Sequence, residues 1–236
     1  MCSTLRWIHN SNSDKMKTNE GLQYDVENAI KWEALMDAAE IGVTAKDGVV
    51  TLAGTVDSYA KKIEAENAAK RVAGVTALVE KIQVEYGSYW AKKDDGEIAS
   101  EILNAFKWNT QVPKEKIKVE VENGWVTLEG ELGWNYQKEA AKKAVKNLLG
   151  VTGVSNNIRI RSEVDIIEQK DIEAALKRNV YFNNEDVEVS VSDKNVKLKG
   201  RVDSYYAKDE AERTAWNTPG VNTVENELII VNNYAD

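Results

Sequence analysis

Hydrophobic and polar positions follow two rhythms along this chain, and the same succession of rhythms occurs three times. Each cycle opens with apolar residues at offsets of three and four, which places them on one face of a helix. Two runs with a period of two predict half-buried strands, and a charged, Ala-rich helix and a third such run complete the cycle. The predicted order is α-β-β-α-β. The opening apolar positions are Val26, Ala29 and Ile30, then Ile102, Ala105 and Phe106, then Ile172, Ala175 and Leu176.

Glycines mark the same two points of every cycle. A Leu-x-Gly motif ends at Gly54, Gly130 and Gly200, and a Gly-Val pair follows at the same distance each time, at Gly74, Gly150 and Gly220. Windows 26–84, 102–160 and 172–230 therefore align without an insertion, which identifies an internal repeat. We expect the first set to meet a backbone requirement and the second set to end helices. A phosphate loop is not indicated, because no Gly-Lys-Ser/Thr follows.

Turn and cap residues complete the fold prediction. Asp47-Gly48 and Asn123-Gly124 favour tight hairpins, and in the third copy Asn195 is expected to take the left-handed position. The second helices are predicted to start near residues 59, 136 and 206, with Ser58, Asn135 and Ser204 as N-caps. A right-handed crossover then makes the third strand parallel to the second. The predicted fold class is α+β: three tandem modules, each a three-stranded mixed sheet with two helices on one face.

The predicted modules span residues 23–86, 97–161 and 167–232, and residues 1–22 are predicted to be a disordered arm. Tyr89 and Trp90, in the connection between the first two modules, are expected to dock on a neighbouring module. Whether translation starts at Met1 or Met16 is left open, as are the arrangement of the modules and the oligomeric state.

Composition narrows the classes of function. The formal net charge of −8 and the lack of a basic stripe argue against nucleic-acid binding. No run approaches the roughly 20 apolar residues of a membrane span. No signal peptide is evident, and the single cysteine, Cys2, fits a reducing compartment. We therefore expect a soluble cytoplasmic protein, with a periplasmic location as the alternative if the true N-terminus differs.

The inventory of chemically active residues predicts a protein that is not an enzyme. His9 is the one histidine, so neither a Ser/His/Asp nor a Cys/His arrangement can be drawn within the modules. Zinc would need several thiolate or imidazole ligands. The segment from Asp94 to Glu97 lacks the ligand spacing of a calcium loop. No metal or cofactor is predicted.

Aromatic and basic residues are the best candidates for a binding surface. Trp32 and Trp108 occupy equivalent positions at the end of the first helix, where the third copy has Arg178. Packing within or between modules is one interpretation of the aromatic residues, and a surface for a ligand, lipid or partner is the other. Lys70 and Arg71 join two other basic residues in a cluster that could face a membrane. The candidate ligand or partner residues are Tyr59, Lys61, Lys62, Trp125, Trp134, Tyr136, Tyr205 and Tyr206.

Taken together, the strand motif Gly-x-Val-Thr-Leu-x-Gly-x-Val and the closing motif Gly-Val-x-x-Val-x-Asn-x-Leu resemble the BON domain. This family is named for the osmotically induced periplasmic protein Y and nodulation proteins of bacteria. The resemblance covers all three windows; departures are Glu80 at the Asn position of the first copy, and Lys194 and Lys197 in the third. It implies an α-β-β-α-β fold. It also implies non-enzymatic modules that attach to phospholipid membranes or other envelope components, often in stress tolerance. The best-known members are exported with two copies, and this chain is more similar to leaderless members with three.

The sequence therefore supports two hypotheses for the function. The leading hypothesis is a BON-type binding or adaptor protein that recognises phospholipid or envelope components through tandem copies. The alternative is a protein–protein scaffold, or a stress-protective, chaperone-like protein, that uses aromatic patches and the edges of its sheets.

Overall fold

The computed structural model describes residues 18–33, 41–86, 93–162, 169–178 and 187–231, and these form three separate three-stranded sheets. The predicted α-β-β-α-β order is confirmed in every module. Module 1 contains α1 (Asn19–Lys31), β1 (Ile41–Lys46), β2 (Val49–Val56), α2 (Tyr59–Lys70) and β3 (Ala77–Val84). Module 2 contains α3 (Asp95–Trp108), a short 3-10 turn, β4 (Ile117–Glu122), β5 (Trp125–Leu132), α4 (Asn135–Lys146) and β6 (Gly153–Ile160). Module 3 contains α5 (Gln169–Lys177), β7 (Val187–Ser192), β8 (Asn195–Val202), α6 (Tyr205–Trp216) and β9 (Thr223–Ile230).

The middle strand of each sheet is the second strand of its module. It pairs antiparallel with the first strand and parallel with the third, as the hairpin and the crossover helix predict. Both helices pack on one face, where alternate strand residues such as Val126 and Leu128 are fully buried. Three cores result, one in each module.

Polar residues at the start of the first helix fix the hairpin turn. The side chain of Asn19 accepts a hydrogen bond from the backbone N–H of Asp47, at 2.8 Å. In module 2 the carboxylate of Asp95 accepts from the backbone N–H groups of Asn123 and Gly124, at 2.8 and 2.9 Å. These bonds satisfy turn donors that no strand partner reaches.

The Leu-x-Gly glycines meet a backbone requirement, as the sequence predicts. Gly130 has φ of 149°, and a Cβ atom there would lie 2.1 Å from the carbonyl oxygen of Lys116. A side chain at this point would push the first two strands of the module apart, because the obstacle is backbone that cannot rotate away.

The asparagine of the closing motif ties the last strand to the second helix. Asn156 donates from Nδ2 to the carbonyl oxygen of Lys138 at 3.0 Å, and Asn226 makes the equivalent bond in module 3. In module 1 Glu80 occupies this position and pairs with Lys62 at 2.8 Å. An ion pair therefore takes the place of the amide bond in the one copy that departs from the motif.

Three local expectations need correction. Both described first-helix starts lie ahead of the predicted module bounds, at Asn19 and Asp95. The N-cap of α4 is Trp134 rather than Asn135, and it makes no side-chain cap bond. In the third hairpin the left-handed residue is Asp193, with φ of 54°, because Asn195 pairs with Ser192 as the first residue of β8.

Modules 1 and 2 meet at an apolar seam, the 1–2 seam. Residues of module 1 that pack against the core of module 2 are Tyr59, Ile63 and Val84. The Lys146 ammonium group lies 3.2 Å from the Glu64 carboxylate, and the Tyr86 hydroxyl donates to the carbonyl oxygen of Val151 at 2.5 Å. Tyr59 is only 7% exposed, so this seam buries a large aromatic side chain almost completely.

Modules 2 and 3 meet at the 2–3 seam, where Trp216 of module 3 packs against the cores of both. The backbone N–H of Ser162 donates to Asn222 at 2.7 Å, and Lys194 donates to the carbonyl oxygen of Ser162 at 2.8 Å. Modules 3 and 1 meet at the 3–1 seam. There Tyr205 packs against the core of module 1, and Lys70 pairs with Asp209 of module 3 at 3.4 Å.

The three seams reuse the same positions of the repeat, so the modules close into a ring with approximate threefold symmetry. Each module contacts both others in the order 1 to 2, 2 to 3 and 3 to 1, and such head-to-tail contacts close when the rotation between copies is 120°. The prediction of three tandem modules, each with its own three-stranded sheet, is thereby confirmed. The equivalent seam residues are Tyr59 and Tyr205, then Lys70, Lys146 and Trp216, then Tyr86 and Ser162.

Candidate functional site

Several predicted surface aromatics lie in the seams. Tyr59 is buried against module 2, and Tyr205 is partly buried against module 1. Tyr206 lies under the guanidinium group of Arg71, which is 6.0 Å from its ring centroid, a cation–π geometry. These three tyrosines hold the ring together, and the packing interpretation describes them better than the ligand interpretation.

The predicted basic cluster is neutralised by acidic partners. Lys61 pairs with Asp57 at 2.6 Å. Lys62 pairs with Glu80 and also donates to the carbonyl oxygen of Ile82 at 3.0 Å. The other two members pair as well, Lys70 with Asp209 and Arg71 with Glu33. Because each cation already has an anionic neighbour, the cluster does not present a free positive surface to an anionic membrane.

Trp125 lies on the face of the module 2 sheet that carries no helix. Its ring packs over Gly153, where an added Cβ would meet the indole at 2.3 Å, and its Nε1 donates to Ser155 at 3.0 Å. The side chain is 49% exposed. The strand alternation predicted this orientation, opposite to Val126, and it leaves the ring fixed on an open face.

The start of α4 exposes two more aromatic rings. Trp134 is 39% exposed and Tyr136 is 51% exposed, with 6.3 Å between their ring centroids. In modules 1 and 3 the position of Trp134 is held by Ser58 and Ser204, whose hydroxyls accept from backbone N–H groups of their helices. Module 2 therefore lacks a stabilising N-cap at the place where it presents a tryptophan.

A cleft of about 640 Å³ adjoins Trp134. Its lining combines one aromatic ring, several polar groups and both signs of charge, and Arg161 there lies 3.6 Å from Glu131. This mixture is typical of surfaces that recognise a protein segment, since rigid rings give contact area and the rim gives hydrogen bonds. We name it the module 2 cleft; its lining residues are Pro113, Lys116, Glu131, Trp134, Gln137 and Arg161.

Two tryptophans that are not among the predicted site residues are the most exposed large hydrophobic side chains of the described residues. Trp32 is 87% exposed at the end of α1, and Trp108 is 82% exposed at the end of α3. Arg178, at the third equivalent position, is also exposed. Equivalent points of a threefold ring lie at the same height along its axis, so these three side chains form one repeated set around the ring. We call them the tryptophan face.

The sequence contained the signal for the tryptophan face, namely the shared position of Trp32, Trp108 and Arg178. What it could not supply was the exposure, because an apolar residue at the end of an amphipathic helix is as compatible with core packing. Trp90, another candidate for docking, lies outside the described residues.

Perturbed titratable groups occur both near the seams and within module 3, where the hydrogen bond between Lys197 and Glu227 raises the pKa of the lysine and lowers that of the glutamate. Burial raises the pKa of Tyr59, with Glu66 adding to the rise. Burial and then Glu80 raise the pKa of Glu66, and burial lowers the pKa of Lys138. Burial is the largest cause of each of these three shifts. Among the described residues no group of His, Cys, Asp and Glu has the arrangement of a metal site, and no helix is long and apolar enough to cross a bilayer.

Comparison with known proteins gives a consistent family match. The model of the BON domain family matches residues 18–86, 94–162 and 165–232, which correspond to the three modules. Osmotically-inducible protein Y of Escherichia coli (strain K12) is 33% identical over 127 residues, which are 52% of this chain and 63% of that protein. The chain thus covers slightly less than two thirds of this relative.

Solved structures give a weaker likeness. A structure of CdsD, a structural protein of the type III secretion system of Chlamydia trachomatis, is 17% identical; the match covers 88% of this chain and 91% of the other, with a TM-score of 0.26. The C-terminal domain of CdsD is 16% identical, with coverage of 89% and 97% and a TM-score of 0.23.

Proposed function

The chain belongs to the BON domain family, and from that premise we propose that it is a non-enzymatic binding protein of stress tolerance that docks on phospholipid surfaces through its tryptophan face. The stress role is suggested by the name of the relative in Escherichia coli, an osmotically inducible protein. The observation that carries the docking proposal is the exposure of Trp32 and Trp108 at equivalent positions of modules 1 and 2.

Tryptophan suits the boundary between lipid and water. Its ring is apolar and its indole N–H is polar, so it concentrates at the headgroup level of bilayers, where arginine also finds anionic partners. Burying a large apolar side chain contributes about 1.5–3 kcal/mol. Two indole side chains carried by one rigid three-module body add their contributions without a second ordering step, which is the advantage of tandem copies.

The mechanism proposed here differs from attraction by a basic cluster. The cations of that cluster are paired, as Lys61 is with Asp57, and the whole chain carries a net charge of −8. Binding should therefore depend mainly on ring insertion and only weakly on the fraction of anionic lipid.

Vesicle co-sedimentation tests the proposal. Wild type and the double variant W32A/W108A are compared on vesicles of phosphatidylcholine alone and with phosphatidylglycerol added. The variant should lose at least about a hundredfold in affinity, because the two side chains together contribute about 3 kcal/mol or more. Tyr24→Ala is the matched control, since Tyr24 is 64% exposed on α1 but does not belong to the face. Absence of wild-type binding to both kinds of vesicle would eliminate the proposal.

A second candidate function, recognition of a protein partner, is favoured by the uncapped start of α4. Trp134 replaces a capping serine, and it remains exposed beside the module 2 cleft. A position that departs from local helix rules in one copy only is typical of a functional site. W134S should abolish recovery of a partner in a pull-down and leave vesicle binding unchanged. If W134S leaves partner recovery unchanged and W32A/W108A removes only vesicle binding, the module 2 cleft is not the partner's site.

A further inference from the structure

The 3–1 seam is the one seam whose modules are not consecutive in the chain. It joins α2 to α6 through the ion pair of Lys70 with Asp209, whose side chains are 29% and 54% exposed. Arg71 adds its contact with the ring of Tyr206. Tyr205 brings an apolar contribution, but it is only partly buried. Exposed ion pairs contribute little, about 0–1 kcal/mol, so Tyr205 and the packing of α2 against α6 supply most of this closure.

The two sides of this seam are different surfaces. Module 3 presents Tyr205 and Asp209 at the front of α6, and module 1 presents its core edge with Lys70 and Arg71 at the end of α2. Such a head-to-tail contact does not require both sides to come from one chain. Every chain carries both of these surfaces, so the module 3 surface of one chain can pack on the module 1 surface of a second chain.

We infer that the 3–1 seam is also an interaction surface for a second copy of this chain: module 3 of one chain docks on modules 1 and 2 of another, and the exchange is reciprocal. The product contains two complete rings, each with the same seam residues as the monomer. No new contact surface has to be formed, and the cost is the loss of the high effective concentration within one chain, of millimolar order for short connections. Exchange is therefore expected at high protein concentration or after transient opening.

The extensive burial in the 1–2 seam favours module 3, and not module 1, as the exchanged module. Tyr59 is 7% exposed there, whereas the polar contacts of Ser162 with Asn222 and Lys194 support the 2–3 seam together with Trp216. Modules 1 and 2 thus stay together as the receiving pair. A dimer of this kind would present two tryptophan faces; the exchange itself does not depend on what those faces bind.

Cross-linking between chains tests the exchange. In a Cys2→Ser background, full-length K70C and full-length D209C are mixed, unfolded in denaturant, and refolded together at high and at low protein concentration. A short bismaleimide then links neighbouring thiols, since it does not require the close Cα approach of a disulfide. We expect a species of twice the monomer mass whose yield rises with concentration and which contains one chain of each variant.

Matched controls separate exchange from random collision. Glu139 occupies the position in module 2 that Asp209 occupies in module 3, so a mixture of K70C with E139C should give only background linkage. A single chain with both K70C and D209C, linked as a monomer beforehand, should no longer form the double-mass species. The inference is overturned if no such species forms at any concentration, or if its K70C–D209C linkage does not exceed the K70C–E139C background.

Discussion

The second helix begins at the same place in modules 1 and 2, and the two starts serve opposite purposes. In module 1 Ser58 caps the helix, and Tyr59 is buried in the neighbouring module. In module 2 the start has no side-chain cap, and Trp134 and Tyr136 face solvent. The difference teaches that a repeated scaffold supplies equivalent positions, and that each copy can use a position either to close the ring or to present a surface.

The 2–3 seam also shows that the copies use equivalent positions differently. Asn135 stands where Tyr59 and Tyr205 stand in the other copies, so module 2 contributes no large ring from this position. Trp216 of module 3 packs across the 2–3 seam instead, from the position that is lysine in the other two copies. A large aromatic is thus retained at the seam but comes from the opposite partner.

Replacing the buried ring should have the largest effect. Tyr59→Ala is expected to lower the free energy of unfolding by about 3 kcal/mol, because it removes a buried aromatic side chain and leaves a cavity. Tyr136→Ala, at the exposed start of α4, is expected to change it by less than about 0.5 kcal/mol. Urea unfolding of both variants measures the contrast. Equal losses would mean that the two starts are packed alike.

A smaller effect with a distinct pH dependence is expected at Tyr86 in the same seam. Burial raises the pKa of Tyr86 to about 12 from its ordinary value of 10.0. The unfolded chain therefore ionises first, and the stabilisation associated with the neutral phenol is complete below pH 10 and is lost as the pH rises toward 12.

Tyr86→Phe provides the measurement. At neutral pH it should lower the free energy of unfolding by about 1 kcal/mol, through loss of the hydrogen bond to Val151. Because the variant cannot ionise here, the advantage of wild type should fall between pH 10 and pH 12, and a pKa of about 12 is high enough to reverse its sign. A gap that stays constant across this range would show that the phenol is not held neutral by the seam.

The fold of each module could be predicted from the sequence, because the signals for its strands, turns and helices are local and occur three times. Alternating residues such as Val126 and Leu128, hairpin pairs such as Asn123-Gly124, and the Leu-x-Gly glycines each specify a structure within a few residues. Three aligned copies then excluded chance. The family resemblance rested on the same residues and is confirmed by the family match.

The contacts between modules could not be predicted from the sequence, because they join residues that are far apart along the chain. Tyr59 and Trp134 both precede or begin a charged helix, and nothing in either segment states which neighbouring module will face it. The neutralisation of Lys70 by Asp209 likewise joins residues from different modules, so the basic cluster looked free when read along the chain. The exposure of Trp32 and Trp108 likewise depends on how the three modules pack, because that packing decides whether a neighbouring module covers them.

The smallest predicted effect has the opposite sign and tests the comparison most closely. Trp134→Ser gives module 2 the cap residue of its neighbours, and a serine hydroxyl at an N-cap typically stabilises by about 1 kcal/mol. We expect the free energy of unfolding to rise by up to that amount. Ser204→Ala is the reciprocal change: its hydroxyl accepts from the backbone N–H of Ala207 at 3.1 Å, and its removal should lower stability by about 1 kcal/mol. Urea unfolding of the two variants measures both signs. If W134S is instead destabilising, packing of the Trp134 ring stabilises the fold by more than a serine cap does. The tryptophan at the start of α4 would then be explained by stability alone.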